Sequence, residues 1–152
     1  MTSNDSKKCV WTLSRDLPSV PGAGEPSVDL VCEQLESQAW PDADVFAMRL
    51  AMSEALANAV EHGNKRDADK TVHLAVEVDD KRALVSVGDE GKGFNFADIS
   101  DPTLECNLEK ISGRGLFLIR NFMTNVWHND SGNVIYMEKR SSVDDEDDEA
   151  AE

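Results

Sequence analysis

A carboxylate and an amide lie four residues apart in the segment Glu54-Ala-Leu-Ala-Asn58. On an α-helix this spacing puts both side chains on one face, about one turn apart. An amide oxygen suits Mg²⁺ when phosphates and waters complete the shell, and a carboxylate one turn away can act as a general base. The small residues nearby, Ala47, Ala51 and Ala57, leave room for a ligand to approach. Such pairs also occur on plain solvated helix faces, so the pair alone leaves both interpretations open.

A second motif, Asp89-Glu-Gly-Lys-Gly93, directly follows a predicted strand. Gly91 and Gly93 allow the backbone to approach a ligand closely or to adopt positive φ. The Asp89 carboxylate can accept a hydrogen bond from an exocyclic amine such as that of adenine. The alternative is a tight turn with a solvated acid, because Gly and Asp are common in turns.

A third motif, Ser112-Gly-Arg-Gly115, opens a predicted helix. Free amides at a helix start bind phosphate, and Gly113 and Gly115 permit close contact. Lys110 and Arg114 are the nearby cations. Glycines at this position also mark simple loop exits, so this motif too is weak on its own.

The net negative charge limits the classes of molecule that the protein can bind. Thirty acidic residues oppose fifteen basic ones, for a formal net charge of -15, and seven of the acids lie in 144–152, leaving about -8 for the rest. The basic surface that nucleic-acid binding needs is missing. A nucleotide would be repelled as well, unless a metal ion, backbone amides and cations such as Lys110 and Arg114 compensate locally.

The 152 residues fit one domain, predicted over 9–140, with a disordered N-terminus at 1–8 and an acidic disordered tail at 141–152. No apolar run is long enough to cross a bilayer, and the N-terminus lacks a secretory signal. The three cysteines are far apart in sequence, which favours reduced thiols in a cytoplasm. His62 and His73 lack a third ligand at suitable spacing and are predicted to be ordinary residues.

Hydrophobic periodicity predicts the elements. The sequence predicts a strand around Trp11 and Leu13, a loop over 18–26, a hairpin over 72–78 and 83–87, and two final strands over 125–128 and 134–138. It predicts helices over 27–40, over 41–62 with Gly63 as C-cap, and over 115–122. This order favours an α/β (α+β) two-layer sandwich, in which a mostly antiparallel mixed sheet carries helices on one face.

The three motifs together resemble a known superfamily. The segments 54–58, 89–93 and 113–115 are similar to the N, G1 and G2 boxes of the GHKL ATPases, which have the Bergerat-type ATP-binding fold. The longer stretches 49–64 and 113–123 resemble the anti-sigma-factor serine kinases of bacteria more specifically. The similarity extends from about Trp11 to Lys139, nearly a whole domain.

The resemblance implies that ATP and Mg²⁺ bind among the helices. In that case Asn58 coordinates the metal, Glu54 is the base and Asp89 contacts adenine. Gly91 and Gly93 shape the base pocket, Gly113 and Gly115 wrap the phosphates, and 94–112 form an ATP lid. It also implies a protein that sequesters a sigma factor, phosphorylates a serine on an antagonist protein, and pairs as a homodimer. The acidic charge and the lack of a long apolar run predict no direct contact with nucleic acid or a membrane.

One residue departs from the pattern. The related kinases generally carry an arginine two positions before the first glycine of the last box, and here Ile111 occupies that position. Lys110 or Arg114 can supply the charge, or a displaced cation can fail geometrically. The alternative function is therefore a nucleotide-binding module that sequesters a partner with little or no catalysis. A detached catalytic domain of a two-component histidine kinase is disfavoured, because no helical pair carrying a phosphoacceptor histidine precedes the domain.

Overall fold

The computed structural model describes residues 10–65, 67–91 and 113–142, and for 113–117 it describes the backbone alone. The predicted disordered N-terminus, the predicted lid over 94–112 and the acidic tail from 143 onwards lie outside the described residues.

The described chain forms three helices and five strands. The helices are α1 (Glu25–Ser37), α2 (Asp42–Asn58) and α3 (Gly113–Phe122), and α2 continues into a π-helical turn (Ala59–Gly63). The strands are β1 (Trp11–Pro18), β2 (Thr71–Val78), β3 (Arg82–Gly88), β4 (Asn125–His128) and β5 (Val134–Arg140). Within these residues, none of the helices is both long enough and apolar enough to span a bilayer.

The strands form one sheet in the order β1-β2-β3-β5-β4. Every pairing between them is antiparallel, and the β2–β3 hairpin closes with Val78 opposite Ala83. The turn of that hairpin is held by the Asp79 carboxylate, which accepts the backbone N–H groups of Lys81 and Arg82 at 2.8 Å. The predicted antiparallel sheet is confirmed.

The core lies between one face of the sheet and the helices. On β2 the side chains alternate, with Leu74 and its even-numbered neighbours buried while His73, Ala75 and Glu77 are exposed. The helical stripes predicted from periodicity are buried opposite them. They comprise Val28, Val31, Cys32 and Leu35 on α1, and Val45, Met48, Met52, Ala55, Leu56 and Ala59 on α2 with its π turn. Helices on one face of the sheet are therefore confirmed.

The boundaries of α1 differ from the prediction. The helix begins at Glu25 with Pro26 in its first turn, where proline needs no hydrogen-bonded N–H. It ends at Ser37 and not at Trp40, because Ala39 adopts a left-handed conformation with φ of 68°. Trp40 is still buried, and its indole N–H donates to the backbone oxygen of Asp79 at 3.0 Å.

The ordered chain also extends two residues into the predicted tail. The Ser141 N–H donates to the carbonyl of Lys81 at 2.9 Å. The Ser142 N–H and hydroxyl both donate to the buried carboxylate of Asp44, at 2.8 and 2.9 Å. These bonds tie the end of β5 to the first turn of α2.

The one-sided core gives a stability prediction. Leu74 is 1% exposed on the helix-facing side of β2, whereas Leu84 on β3 points to the other side of the sheet and is half-buried. Leu74→Ala should lower the free energy of unfolding by about 2–5 kcal/mol, and the matched Leu84→Ala by roughly half of that or less. Urea unfolding of both variants measures the difference, and equal losses would mean that both faces of the sheet are covered.

Candidate functional site

Helix α2 presents Glu54 and Asn58 as the sequence predicts, one turn apart and both partly exposed. Three alanines near this pair were predicted to leave room for a ligand, and of these only Ala57 is exposed. Ala47 and Ala51 are 4% and 1% exposed. The prediction was wrong for these two residues, because they are packed inside the protein on a helix that lies against α3.

The end of this helix widens into a π turn. The Asn64 N–H donates to the carbonyl of Ala59, five residues earlier, at 2.8 Å. Gly63 was predicted to be a C-cap, but it does not adopt the positive φ of such a cap. It is needed for space, because a Cβ on Gly63 would lie 2.1 Å from Asp89 Oδ2. The π turn therefore brings the end of α2 against the second predicted motif.

The turn Asp89–Gly91 is fixed by the hydrogen bonds that its three backbone N–H groups donate. The Asp89 N–H donates to the carbonyl of Asn133 at 2.9 Å, the Glu90 N–H to Asn64 Oδ1 at 2.8 Å, and the Gly91 N–H to Asp89 Oδ1 at 2.8 Å. All three amides are thus engaged inside the protein. A Cβ on Gly91 would lie 2.1 Å from the Gly63 carbonyl oxygen. Gly91 thus permits a close approach to the backbone of Gly63.

Asp89 is partly buried, and its electrostatics follow from that position. Burial raises the pKa of its carboxyl, while the hydrogen bond from the Gly91 N–H and the charge of Lys70 act in the opposite direction. A perturbed carboxyl beside a helix end is typical of binding and catalytic sites. Lys70, just before β2, is a nearby cation in addition to the two predicted from the sequence.

The third motif lies at the start of α3. Gly113, Arg114 and Gly115 form the first turn, so the helix begins two residues earlier than predicted. Helix α3 packs against α2, with Ile119 fully buried and the Phe122 ring edge-on to Phe46 at 6.5 Å.

The structure thus joins two of the three predicted motifs. Glu54 and Asn58 lie on the helix whose end contacts Asp89 and Gly91. The helix of the third motif lies alongside α2, while Gly93, Lys110 and Ile111 are outside the described residues.

An ion-paired cluster lies next to the Asp89 turn. His73 Nδ1 is 2.8 Å from Asp16 Oδ1, and its Nε2 is 3.6 Å from Glu90 Oε2. The hydrogen bond with Asp16 raises the pKa of His73. All three side chains are exposed, so the cluster contributes little to stability. Across the described ranges, no group of three His, Cys, Asp or Glu side chains is arranged to hold a metal ion.

A small cavity lies on a neighbouring flank of α2. It encloses about 100 Å³ between the loop before α1 and the α2 residues Ser53, Leu56 and Ala57. Nucleotide-sized ligands need roughly 300 Å³ or more. This cavity is therefore too small for a nucleotide, and the face of Glu54 and Asn58 is the better candidate.

Three contributors were missed by the sequence interpretation: Asn64, Lys70 and Asn133. Asn64 was visible as the polar residue directly after Gly63, in a position where a plain helix cap was assumed. Lys70 and Asn133 carried no local signal, because they reach Asp89 through strand pairing.

Comparisons with known proteins identify the family of this chain. The model of the histidine kinase-like ATPase domain family matches residues 25–139. The chain is 34% identical over 103 residues to the serine-protein kinase RsbW of Bacillus subtilis, covering 63% of this chain and 64% of the relative. It is 33% identical over 86 residues to an anti-sigma F factor of Bacillus thuringiensis, covering 55% and 58%. The chain thus spans less than two thirds of either relative's length.

The family match covers most of the chain, including α2, its π turn and the Asp89 turn. This chain belongs to the histidine kinase-like ATPase domain family.

Proposed function

We propose that the chain binds Mg²⁺–ATP on the face of α2 that carries Glu54 and Asn58. Asn58 holds the metal together with phosphate and water oxygens, and Asp89 accepts a hydrogen bond from the adenine amine. The observation that carries this proposal is the packing of Asp89 against Gly63, five residues beyond Asn58 on the same helical segment. The donor set fits the ligand, because one ATP needs an acceptor for its base and a hard ligand for its metal.

The remaining predicted residues complete the site in this proposal. Gly91 and Gly93 shape the base pocket, and Gly113 and Gly115 bring free amides at the start of α3 close to the phosphates. Lys110 and Arg114 offset the phosphate charge on a protein of net charge -15.

We further propose that the chain is an anti-sigma factor and a protein-serine kinase. Glu54 then acts as the base that accepts the proton of a serine hydroxyl on a small antagonist protein. The printed names of the two relatives, a serine-protein kinase and an anti-sigma F factor, support this proposal. The sigma factor and the antagonist are the proposed partners, a homodimer is the proposed assembly, and the cytoplasm is the proposed location.

A second candidate function rests on Ile111. Where the related kinases generally have arginine, this chain has no charge at that position. Transition-state charge on the transferring phosphoryl group is then compensated less well. The chain would bind ATP and capture its partner while transferring phosphate slowly or not at all.

The proposed metal role of Asn58 is testable by calorimetry. Asn58→Asp adds a negative charge beside the triphosphate, so the affinity for ATP with Mg²⁺ should fall by at least about tenfold. The control Asn121→Asp adds the same charge at an exposed position of α3 and should change affinity by less than about twofold. An unchanged affinity in Asn58→Asp, or equal losses in both variants, would remove Asn58 from the site.

The kinase proposal is tested with labelled ATP and the candidate antagonist protein. Glu54→Gln keeps the shape but not the base, so phosphate transfer should fall by about a hundredfold or more while ATP binding persists. The exposed Glu36→Gln on α1 is the matched control and should retain full transfer. If the wild-type protein binds ATP but transfers no phosphate, the kinase proposal is wrong and the sequestering module remains as the function. In that case Glu54→Ala should still capture the sigma factor.

The raised pKa of Asp89 gives a pH prediction. Ionised Asp89 accepts the adenine amine, so ATP affinity should begin to fall at a higher pH than an ordinary Asp would allow, its usual pKa being 3.8. Asp89→Asn should bind ATP about ten- to a hundredfold more weakly at pH 7 and show no such acid limb. Calorimetric titrations between about pH 8 and about pH 5 measure this.

The charge of Asp89 is expected to favour ATP binding but to oppose folding. A raised folded-state pKa favours folding when the carboxyl is protonated, and that contribution is lost as pH rises through the folded pKa. At pH 7, Asp89→Asn should therefore be at least as stable as the wild type in urea, although it binds ATP more weakly. Tight ATP binding by this variant would exclude Asp89 as the adenine contact.

A further inference from the structure

Asn64 is a fully buried polar residue between three parts of the site. Its side chain is 0% exposed. Its Nδ2 donates to the Thr71 carbonyl at 3.1 Å, and its Oδ1 accepts the Glu90 N–H at 2.8 Å. Its own N–H donates to Ala59 in the π turn at 2.8 Å. The residue Asn64 therefore ties the end of α2, the start of β2 and the turn after β3.

The orientation of the amide follows from its partners. A backbone carbonyl can only accept and a backbone N–H can only donate, so Nδ2 must face Thr71 and Oδ1 must face Glu90. The Glu90 N–H lies in the middle of the Asp89–Gly91 turn. Without Asn64, this N–H and the Thr71 carbonyl would lose their hydrogen-bonding partner in a partly buried place, which is unfavourable.

We propose that Asn64 is a positioning residue that holds the Asp89 carboxylate in place and thereby sets the preference for adenine over guanine. The proposal rests on the proposed ATP binding. The turn is held at Asp89 by Asn133, at Glu90 by Asn64, and at Gly91 by the Asp89 carboxylate itself. Of these, the bond that the Glu90 N–H donates to Asn64 connects the turn to the helix that carries Glu54 and Asn58.

The preference follows from the chemistry of the two bases. Adenine presents an amino group that donates to a carboxylate, whereas guanine presents an oxygen at the corresponding position, which a carboxylate repels. Discrimination needs the carboxylate at a fixed distance and angle, because hydrogen bonds weaken steeply when misaligned. A turn released from Asn64 lets Asp89 move away from Gly63, and its contact with the base weakens.

Two variants of nearly the same size separate positioning from simple packing. Asn64→Asp keeps an oxygen that accepts the Glu90 N–H whether or not the acid is protonated, and Asn64→Leu removes the acceptor. We expect Asn64→Leu to lower ATP affinity by about tenfold and to reduce the ATP-to-GTP affinity ratio similarly. Asn64→Asp should keep most of that ratio even if it is less stable. Affinity for Mg²⁺-tripolyphosphate, which lacks a base, should be unchanged in both.

A double-mutant cycle identifies the residue through which Asn64 acts. In an Asp89→Ala background, Asn64→Leu should cause no further loss of ATP affinity. The destabilised control Val31→Ala, in the core face of α1, should keep the wild-type ATP-to-GTP ratio. If Asn64→Leu does not fold, Asn64→Ser replaces it, with the same expected result.

Several outcomes would overturn the proposal. These are additive losses in the cycle, an equal loss for tripolyphosphate, or an unchanged ATP-to-GTP ratio in Asn64→Leu. Wild-type protein that does not bind ATP would instead reject the proposed function itself, so the two failures are distinguishable.

Discussion

The contact between Gly63 and the Asp89–Gly91 turn holds together the two described parts of the candidate site. The backbones of Gly63 and Gly91 lie in close contact. A Cβ on Gly63 would lie 2.1 Å from the Asp89 carboxylate, and a Cβ on Gly91 would lie 2.1 Å from the Gly63 carbonyl oxygen. Overlap of that kind with backbone or a held carboxylate cannot be relieved by a small side-chain rotation. Both positions are therefore restricted to glycine, whatever ligand the site binds.

The π turn gives the helix end the geometry for this contact. A hydrogen bond from Asn64 to Ala59, spanning five residues, places one more residue in the turn than a regular helix would. The segment after Asn58 is thereby shifted, and Gly63 faces the turn after β3. Side chains one helical turn apart on α2 are then linked to a carboxylate that is some thirty residues away in sequence. The fold joins them through the β2–β3 hairpin.

Burial of the Asp89 carboxyl opposes folding stability and, in the proposed function, favours ligand binding. The protein has a formal charge of -15, and it keeps the Asp89 carboxyl partly buried with a raised pKa. A carboxylate that is poorly solvated in the free protein gains more from a donor supplied by a ligand than a fully hydrated one does. The cost to folding is limited by the Gly91 N–H and by the charge of Lys70. Sites with this balance are common where a protein has to bind a ligand.

Local patterns predicted most of the fold, and contacts between distant segments account for what they missed. The β2–β3 hairpin and the buried stripe of α2 follow from alternation and helical periodicity, so they could be predicted within a residue or two. Gly63 was misinterpreted as a cap because glycine after a helix usually has that role, and its actual partner, Asp89, comes from another element. Ala39 ended α1 early through a left-handed backbone that no composition rule indicates. Asn64 could not be assigned because both of its side-chain partners are backbone groups of later segments.

The most direct measurement of the central claim is a crystal structure with a non-hydrolysable ATP analogue and Mg²⁺. The account predicts one bound nucleotide, with Asn58 Oδ1 about 2.1 Å from the metal and Asp89 Oδ2 within about 3.1 Å of the adenine amine. The Gly63–Gly91 contact should be unchanged in the complex. A nucleotide whose base lies away from Asp89, or a metal ion bound without Asn58, would contradict it.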